Sequence, residues 1–565
     1  MCLHKPFLAA VAINAVLFLG TYLFFTPRFI TNDDVGIMLW ASGISAYSQP
    51  QELVLFSNIL LGALLKRLYL FNLNIPWYGL YLVVCLFLSH CIFLYLALQS
   101  RIKNITLPLY LGYFLLLGIH LLLNLQYTIA AALLCMAGWI IMFYRLGRNT
   151  HNPSLSLPET ITGILCVCLG SMVRWEPFIM ATGLCFTVSL AGVLSLRFRQ
   201  LLSPAIIALM TLALCFSLQF YNNSQYASKK EWDGFRSFMP LIVKFIDYKT
   251  LEKLEPAHKA TLLSQAGLSE NDYQMFIHWF FMDDTLYSQS NLESLISQIS
   301  FGDFKVSVTQ MLRTVAYPLK NLFVLKALLF LGLIFSFTFL GRNIFFTRLG
   351  LAVFISLSML IYLYFFKKPA PERVYASIIA FLAILPIWSL SPDIMISRPF
   401  SRLRKIIFSF SCLAILFLFH FSFYDFYNQS DQNIRQQETF KNDIQNLTPR
   451  QSQLFVGWGT GIPWEQVSPF GDLTFLQSFM SFDLGVTERT PPALKRLQGF
   501  GVDDFYLDLV DNPDLFLVMR HNYQQTFKFY QTFMEEHYQI MVKAVPVHVN
   551  QSFTVLSLQT DIIRN

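Results

Sequence analysis

Long apolar runs alternate with short polar segments along the chain as far as residue 423. A helix needs about 20 apolar residues to cross the roughly 30 Å hydrocarbon core of a bilayer. The pattern predicts eleven such helices, at 7–25, 76–98, 105–123, 127–144, 160–173, 178–195, 203–221, 322–340, 349–366, 376–390 and 406–423. We therefore predict a polytopic α-helical membrane protein of about eleven transmembrane helices.

The basic residues of the loops predict the orientation. With the N-terminus inside, the cytoplasmic loops carry thirteen Lys and Arg residues and the short outer loops carry seven. This arrangement obeys the positive-inside rule, and the reversed one violates it at almost every loop. We therefore expect a cytoplasmic N-terminus and an extracytoplasmic C-terminus, with 26–75, 222–321 and 424–565 facing outward. Chemistry or binding is then expected at the outer face.

The polar segments predict two domains. Residues 1–423 form the transmembrane domain with its outer loops 26–75 and 222–321, and residues 424–565 form an extracytoplasmic domain. In the first outer loop, Asn32 or Asp33 is expected to cap a helix over 35–47, and 53–71 reads as an interfacial helix. A helix is expected to start at Ser269 and run to 282. In the C-terminal domain, strands are predicted at 454–457, 504–509 and 553–558, with helices at 492–497 and 524–538. This pattern indicates a small α/β or α+β domain.

Composition narrows the class of protein. Charged residues make up 13% of the chain and apolar residues 55%, whereas a soluble globular protein has about 25% charged residues. The high hydrophobicity also excludes intrinsic disorder. The net charge of +7 is small and spread over short loops, so no nucleic-acid partner is expected. The outward-facing segments hold no cysteine and fold without disulfides, which a bacterial periplasm permits.

An acidic pair, Asp33 and Asp34, directly follows the first span. Two interpretations are about equally supported by this position alone. The carboxylates can cap the next helix and interact with its dipole. Alternatively, they can act as a general base or a divalent-metal ligand close to the bilayer, where a lipid-linked substrate presents its reactive carbon.

Two charged outer segments are also candidates. Arg174 and Glu176 interrupt apolar sequence between two spans, and an arginine at bilayer depth costs about 2.5–3.5 kcal/mol on insertion scales. We favour a functional charge there over an ion pair that only closes a helical hairpin. Lys367, Lys368 and Arg373 form a basic loop on the outer side. Three cations there suggest an anion such as a lipid phosphate, with headgroup anchoring as the alternative.

The acidic pair after the first span, the Arg174-Trp175-Glu176 turn and the Pro371-Glu372-Arg373-Val374-Tyr375 string occur together in a chain with an outer C-terminal domain. This arrangement resembles the GT-C superfamily of membrane glycosyltransferases, which use polyprenyl-phosphate-linked sugars, and in particular its bacterial members. The resemblance implies that the chain moves a sugar from such a donor to a glycan, lipid or protein acceptor at the outer face of a bacterial inner membrane.

The resemblance also implies residue roles. Asp33 or Asp34 is the expected catalytic base of an inverting displacement, and these two acids would also hold a divalent cation, Mg²⁺ or Mn²⁺, if one is required. The expected donor-phosphate ligands are Arg174, Lys367, Lys368 and Arg373, and the expected supporting residues are Glu176, Glu372 and Tyr375. Membrane lipid is the remaining expected partner.

Two other classes of function compete with this one. A transporter or flippase for a lipid-linked glycan predicts charges along a path through the membrane, and few ionisable residues lie within the predicted spans. A scaffold or receptor leaves the basic outer loops and the membrane-proximal acids without a common task. Substitution of Asp33 and Asp34 separates the enzyme from the scaffold, which should tolerate the change.

Overall fold

The structure is a computed structural model that describes residues 5–44, 49–100, 102–144, 156–193, 198–299, 309, 311, 322–338, 343–366, 370–390, 402–447 and 453–560. In chain order the helices are α1 (Lys5–Phe24), α2 (Asn32–Ser42), α3 (Ile59–Phe71), α4 (Trp77–Gln99), α5 (Lys103–Tyr113), α6 (Ile119–Leu123), α7 (Tyr127–Phe143), α8 (Leu157–Val173), α9 (Trp175–Val193), α10 (Phe198–Ala227), α11 (Asp233–Ile242), α12 (Pro256–Gln265), α13 (Glu270–Ile277), α14 (Gln289–Ser297), α15 (Leu322–Thr338), α16 (Asn343–Phe366), α17 (Glu372–Leu390), α18 (Arg402–Asn446), α19 (Pro491–Gly499), α20 (Phe505–Asp511) and α21 (Gln524–Tyr538). The strands are β1 (Arg28–Phe29), β2 (Asn124–Leu125), β3 (Leu454–Trp458), β4 (Ser481–Leu484), β5 (Leu515–Met519), β6 (Val542–Val549) and β7 (Thr554–Thr560).

Each predicted span contains a helix. Within the described residues, seven helical segments are long and apolar enough to cross a membrane: α1, α4, α5 with α6, α10, α16, α17 and α18. Three shorter apolar helices accompany them. Large apolar side chains point away from the protein on α10 and α16, including Leu209, Met210 and Phe354, each about two-thirds exposed. Apolar faces of this kind require lipid around them. The chain is therefore an integral membrane protein, and the count of eleven spans stays a prediction.

The first outer segment begins with a short strand and a helix. β1 pairs in parallel with β2, so that Arg28 lies beside Asn124. α2 begins at Asn32, three residues before the predicted start. The extended residue Thr31, and not Asn32 or Asp33, takes the cap position. Its hydroxyl donates a hydrogen bond to the Asp34 carboxylate in the first turn instead of interacting with the helix backbone. The predicted helix over 53–71 is wrong at its start, since α3 begins at Ile59, after an Asn58 cap.

The second outer segment, 222–299, is helical as predicted. The helix expected from Ser269 is α13, which is preceded by a capping box between Ser269 and Asp272 and ends at Ile277 rather than 282. A core of phenylalanine and leucine side chains holds α11–α14 together. Arg489 ties this segment to the C-terminal part of the chain, because its guanidinium donates hydrogen bonds to the carbonyl oxygens of Phe281 and Tyr287.

The C-terminal part contains a five-stranded mixed sheet. The strand order is β4-β3-β5-β7-β6, with β3 parallel to both β4 and β5 and with β7 antiparallel to its neighbours. The predicted strand over 504–509 is wrong, because this stretch forms α20. Asp504 caps the helix by accepting hydrogen bonds from the N–H groups of Tyr506 and Leu507. The buried positions Phe505, Tyr506 and Leu509 follow helical spacing.

A single long helix connects the membrane and the sheet. α18 runs without interruption through the predicted domain boundary at 423. On its way it holds the end of the first span, because the side chain of Asn433 donates to the carbonyl of Thr26 at 2.8 Å. Nearer its end, the Asp443 carboxylate accepts hydrogen bonds from the N–H and the hydroxyl of Ser552. The sheet is thus anchored to the helix that leaves the membrane.

Candidate active site

Asp34 is completely buried beneath the start of α2. Its carboxylate accepts three hydrogen bonds: from the hydroxyl of Thr31 at 2.9 Å, from the hydroxyl of Tyr78 at 3.0 Å and from the N–H of Tyr127 at 3.0 Å. Burial raises the pKa of the Asp34 carboxyl to about 7, and the hydrogen bonds from Tyr127 and Thr31 partly oppose that rise. Because all of these contacts are within the protein, the Asp34 carboxylate stabilises the loop and is not accessible to a substrate.

Asp33 has the opposite environment. It is half-buried and lines a cavity of about 550 Å³. Within the described part of the chain, no group donates a hydrogen bond to its carboxylate. It lies within electrostatic range of Arg174 and Tyr127. Of the two acids that the sequence could not separate, Asp33 is the one whose carboxylate is open to a bound molecule.

The cavity that contains Asp33 lies between the membrane domain and the C-terminal sheet. We call it the sheet-end cavity. The first outer segment contributes Asn32, Asp33 and Trp40, the second contributes His278 and Trp279, and the C-terminal sheet contributes Trp458, Asp483 and Arg520. All three outer segments therefore meet at one site. The Asn32 side chain joins two of them by accepting a hydrogen bond from the N–H of Glu465 at 3.0 Å.

Arg174 is held firmly by its neighbours. Its guanidinium donates hydrogen bonds to the hydroxyls of Tyr127 and Thr128, and it lies 4.6 Å from the centre of the Tyr127 ring. It also forms an ion pair with Glu176 at 3.2 Å, and the Glu176 side chain is 73% exposed. Because these contacts occupy the guanidinium, Arg174 is better suited to position Tyr127 and the nearby loop than to bind phosphate.

Arg373 lies in a different cavity, of about 230 Å³, which we call the arginine cavity. Arg28 and His120 line the same cavity, together with Asn124, Glu372 and Gln429. The structure therefore brings together two arginines that are far apart in sequence, at the N-terminal end of α17 and just after α1. Tyr375 follows in the first turns of α17 and is buried. Lys367 and Lys368 lie outside the described residues.

Sequence reasoning missed Arg28 and Asp483. Arg28 is one of the seven basic residues counted in the short outer loops, and its position five residues before Asp33 was the available signal. Asp483 follows no recognisable motif. Burial raises the pKa of its carboxyl to about 6, and a hydrogen bond from the Trp464 indole N–H opposes this rise. Neither residue could be assigned to a cavity without the tertiary contacts.

The acidic pair offers one carboxylate for a divalent cation. Asp34 already accepts three hydrogen bonds, so a metal would have to displace them, and only Asp33 is available as a ligand. A carboxylate-bound Mg²⁺ is usually held by one or two carboxylates together with substrate phosphates. The expected cation therefore stays a prediction, with Asp33 as its ligand, and the chemistry below does not require it.

The site and the helices define the chain as an integral membrane protein whose polar segments enclose a cavity with an accessible carboxylate. No family model and no curated protein matches the chain. Among solved structures, the crystal structure of ArnT from Cupriavidus metallidurans bound to undecaprenyl phosphate is similar over 97% of this chain and 97% of its own. The sequence identity is 10% and the TM-score 0.39. At these values the similarity says nothing about activity.

Proposed function

We propose that the chain is a membrane glycosyltransferase that moves a sugar from a polyprenyl-phosphate donor to an acceptor hydroxyl at the outer face of the membrane. The observation that carries this proposal is the position of Asp33. Its carboxylate is open to the sheet-end cavity, and it is five residues from Arg28 in the arginine cavity. Five residues span at most about 18 Å. A base and an anion site are thus held within reach of one substrate.

The arginine cavity suits the donor phosphate. Arg28 and Arg373 both line it, and neither forms an ion pair with a carboxylate in the described part of the chain. Planar guanidinium groups bind phosphate oxygens through two parallel hydrogen bonds. The Arg28 Nε–H donates to the Asn124 side chain at 3.4 Å, which orients the guanidinium. We assign the phosphate to these two arginines and assign Arg174 to positioning.

The reaction is a direct displacement at the anomeric carbon. Asp33 accepts the proton of the acceptor hydroxyl as that oxygen forms its bond to the carbon. The bond between the anomeric carbon and the phosphate oxygen breaks on the opposite face, so the configuration inverts. The electron pair leaves with the polyprenyl phosphate, whose growing negative charge is stabilised by Arg28 and Arg373. Asp34 acts as a positioning residue, because it fixes the loop through Tyr78 and Tyr127.

The test compares two isosteric substitutions in the full chain, reconstituted in nanodiscs with a panel of polyprenyl-phosphate sugars. Asp33→Asn should bind the donor but lower turnover by about 10²- to 10⁴-fold, the usual contribution of a general base. Asp34→Asn should keep turnover within a few-fold of wild type. Release of polyprenyl phosphate and transfer of the sugar are both measured. Full turnover by Asp33→Asn would contradict the proposal, and translocation of the donor without bond cleavage would indicate a flippase.

A further inference from the structure

Three parallel strands end at the sheet-end cavity. Trp458 is the last residue of β3, Leu484 of β4 and Met519 of β5, and all three line the cavity. β3 comes first in the chain and lies between β4 and β5. The connection after β3 leads to β4 on one side of it, and the connection after β4 leads to β5 on the other side. In α/β sheets such a switch point leaves a crevice at the carboxyl ends of the strands, where ligands bind.

Glycines allow the backbone to pack closely at the edge of this crevice. A Cβ atom at Gly461 would lie 2.1 Å from the carbonyl oxygen of Val518, and one at Gly457 would lie 2.7 Å from a carboxylate oxygen of Asp483. Gly459, between them, has φ of 58°, which favours glycine. The end of β3 at Gly457 and the turn that follows it at Gly459 and Gly461 therefore favour glycine. This turn brings the backbone against β5 and leaves the space above the strand ends free.

A strained aromatic residue faces the same space. Trp279 has φ of 65°, a conformation that costs a bulky side chain roughly 1–3 kcal/mol and that occurs mainly at functional sites. Its indole ring lies close to Gly485, where a Cβ atom would be 3.9 Å away. The ring is half-buried and lines the cavity. In this strained conformation, the flat apolar ring of Trp279 lines the cavity.

The polar groups of the cavity suit a neutral molecule with hydroxyl groups. The Asp483 carboxylate accepts one hydrogen bond, from Trp464 at 2.9 Å, so it can still accept from a ligand. Among the described residues that line the cavity, Arg520 is the one arginine or lysine. It forms an ion pair with Glu465 at 2.8 Å and donates a hydrogen bond to the carbonyl of Thr460, so its charge is already paired. An aromatic face beside a hydrogen-bond acceptor matches a sugar ring, which has an apolar C–H face and a rim of hydroxyls.

We propose that the sheet-end cavity is the acceptor site and that the acceptor is a saccharide, packed on Trp279 and hydrogen-bonded to Asp483. This inference rests on the proposed function, because the hydroxyl of the bound saccharide would be the group that Asp33, in the same cavity, deprotonates. The volume of about 550 Å³ lies within the usual range for small-molecule sites. The C-terminal sheet then selects the acceptor, while the membrane domain holds the donor.

The experiment uses the full chain in nanodiscs and two probes. The first probe is a panel of methyl glycosides of hexoses, 6-deoxyhexoses, pentoses and N-acetylhexosamines, with binding followed by saturation-transfer NMR and tryptophan fluorescence. The second is undecaprenyl phosphate, with binding followed by protection against thermal unfolding. The variants are Asp483→Asn, which keeps the Trp464 hydrogen bond, and Trp279→Ala. Asp511→Asn is the matched control, because Asp511 is an exposed acid of the same part of the chain.

We expect at least one glycoside to bind wild type and Asp511→Asn equally and to bind Asp483→Asn about 10- to 100-fold more weakly, the loss expected for a hydrogen bond to a charged group. Binding of undecaprenyl phosphate should not change. The inference is overturned if no glycoside binds wild type or if both cavity variants bind as wild type does. The polyprenyl-phosphate sugars of the turnover test serve as a further probe, followed by the same thermal protection. The inference is also overturned if the variants lose binding of such a donor, since the cavity would then hold the donor's sugar. Failure of undecaprenyl phosphate to bind wild type would instead contradict the proposed function.

Discussion

The buried carboxyl of Asp34 makes the stability of the folded chain depend on pH. Burial raises its pKa from 3.8 to about 7. Between these two values the folded chain binds more protons than the unfolded chain, so stability falls as pH rises through this window and levels off above it. A rise of about three pH units corresponds to about 4 kcal/mol. The carboxyl is fully buried, so solvent does not screen this effect.

Asp34→Asn removes the titration and keeps the shape. The amide oxygen can still accept hydrogen bonds from Tyr78 and Tyr127, and the Thr31 hydroxyl can rotate to accept one from the new amide N–H. We therefore expect the free energy of unfolding of Asp34→Asn, relative to wild type, to increase by about 4 kcal/mol between about pH 4 and pH 8.

The assay is denaturant unfolding in detergent, followed by tryptophan fluorescence at a series of pH values. Asp33→Asn is the comparison variant, because it leaves Asp34 in place. The Asp33 charge makes a smaller contribution than burial to the raised pKa of Asp34, so most of the wild-type pH dependence should remain. Glu488 is also buried, with its pKa raised to about 8, but it is present in all three proteins and cancels in the differences. Parallel profiles for wild type and Asp34→Asn would refute the reasoning.

Two further predictions concern docking and positioning. In Gly79→Ala, the new Cβ atom would lie 2.0 Å from the carbonyl oxygen of Pro469. We expect this variant to have a lower melting temperature and faster proteolysis of its C-terminal part. The control Gly183→Ala has open space around the new Cβ atom and should show neither change. Arg174→Lys keeps the charge but loses the planar group held against Tyr127. Arg174→Lys should lower kcat more than it changes KM. Glu176→Gln, at the exposed end of the ion pair, should change kcat and KM little. Equal effects of the two substitutions on kcat would count against positioning by Arg174.

Hydropathy was sufficient to predict a helical membrane protein with several apolar helices, because a lipid-facing helix must be apolar along most of its length. The site was harder. Choosing between Asp33 and Asp34 depends on Tyr78 and Tyr127, which lie 44 and 93 residues further along the chain. No local sequence pattern shows which of the two carboxylates accepts hydrogen bonds from Tyr78 and Tyr127. The pairing of Arg28 with Arg373 in one cavity depends on tertiary packing in the same way.

The C-terminal sheet shows a different limit. β3 and β7 were predicted, but β4 and β5 were not, and both are strands of four or five residues. Short apolar runs of this kind do not distinguish a strand from a buried helical turn. Residues 504–509 were misread for the same reason. Without β4 and β5, the switch point beside β3 cannot be recognised, and neither can the cavity that it opens.

The short segment 28–33 carries both Arg28 and Asp33, and Asp34 fixes one of its ends. Its first residues pair with β2, and the Thr26 carbonyl just before it is held by α18. Its end is fixed by Asp34, which accepts from the N–H of Tyr127 at the start of α7. These contacts hold both ends of the segment against α18 and α7. Groups held at fixed positions stabilise a transition state without reorganising during the reaction. On this view Asp34 contributes to catalysis through the distance between Arg28 and Asp33, although it contacts neither substrate.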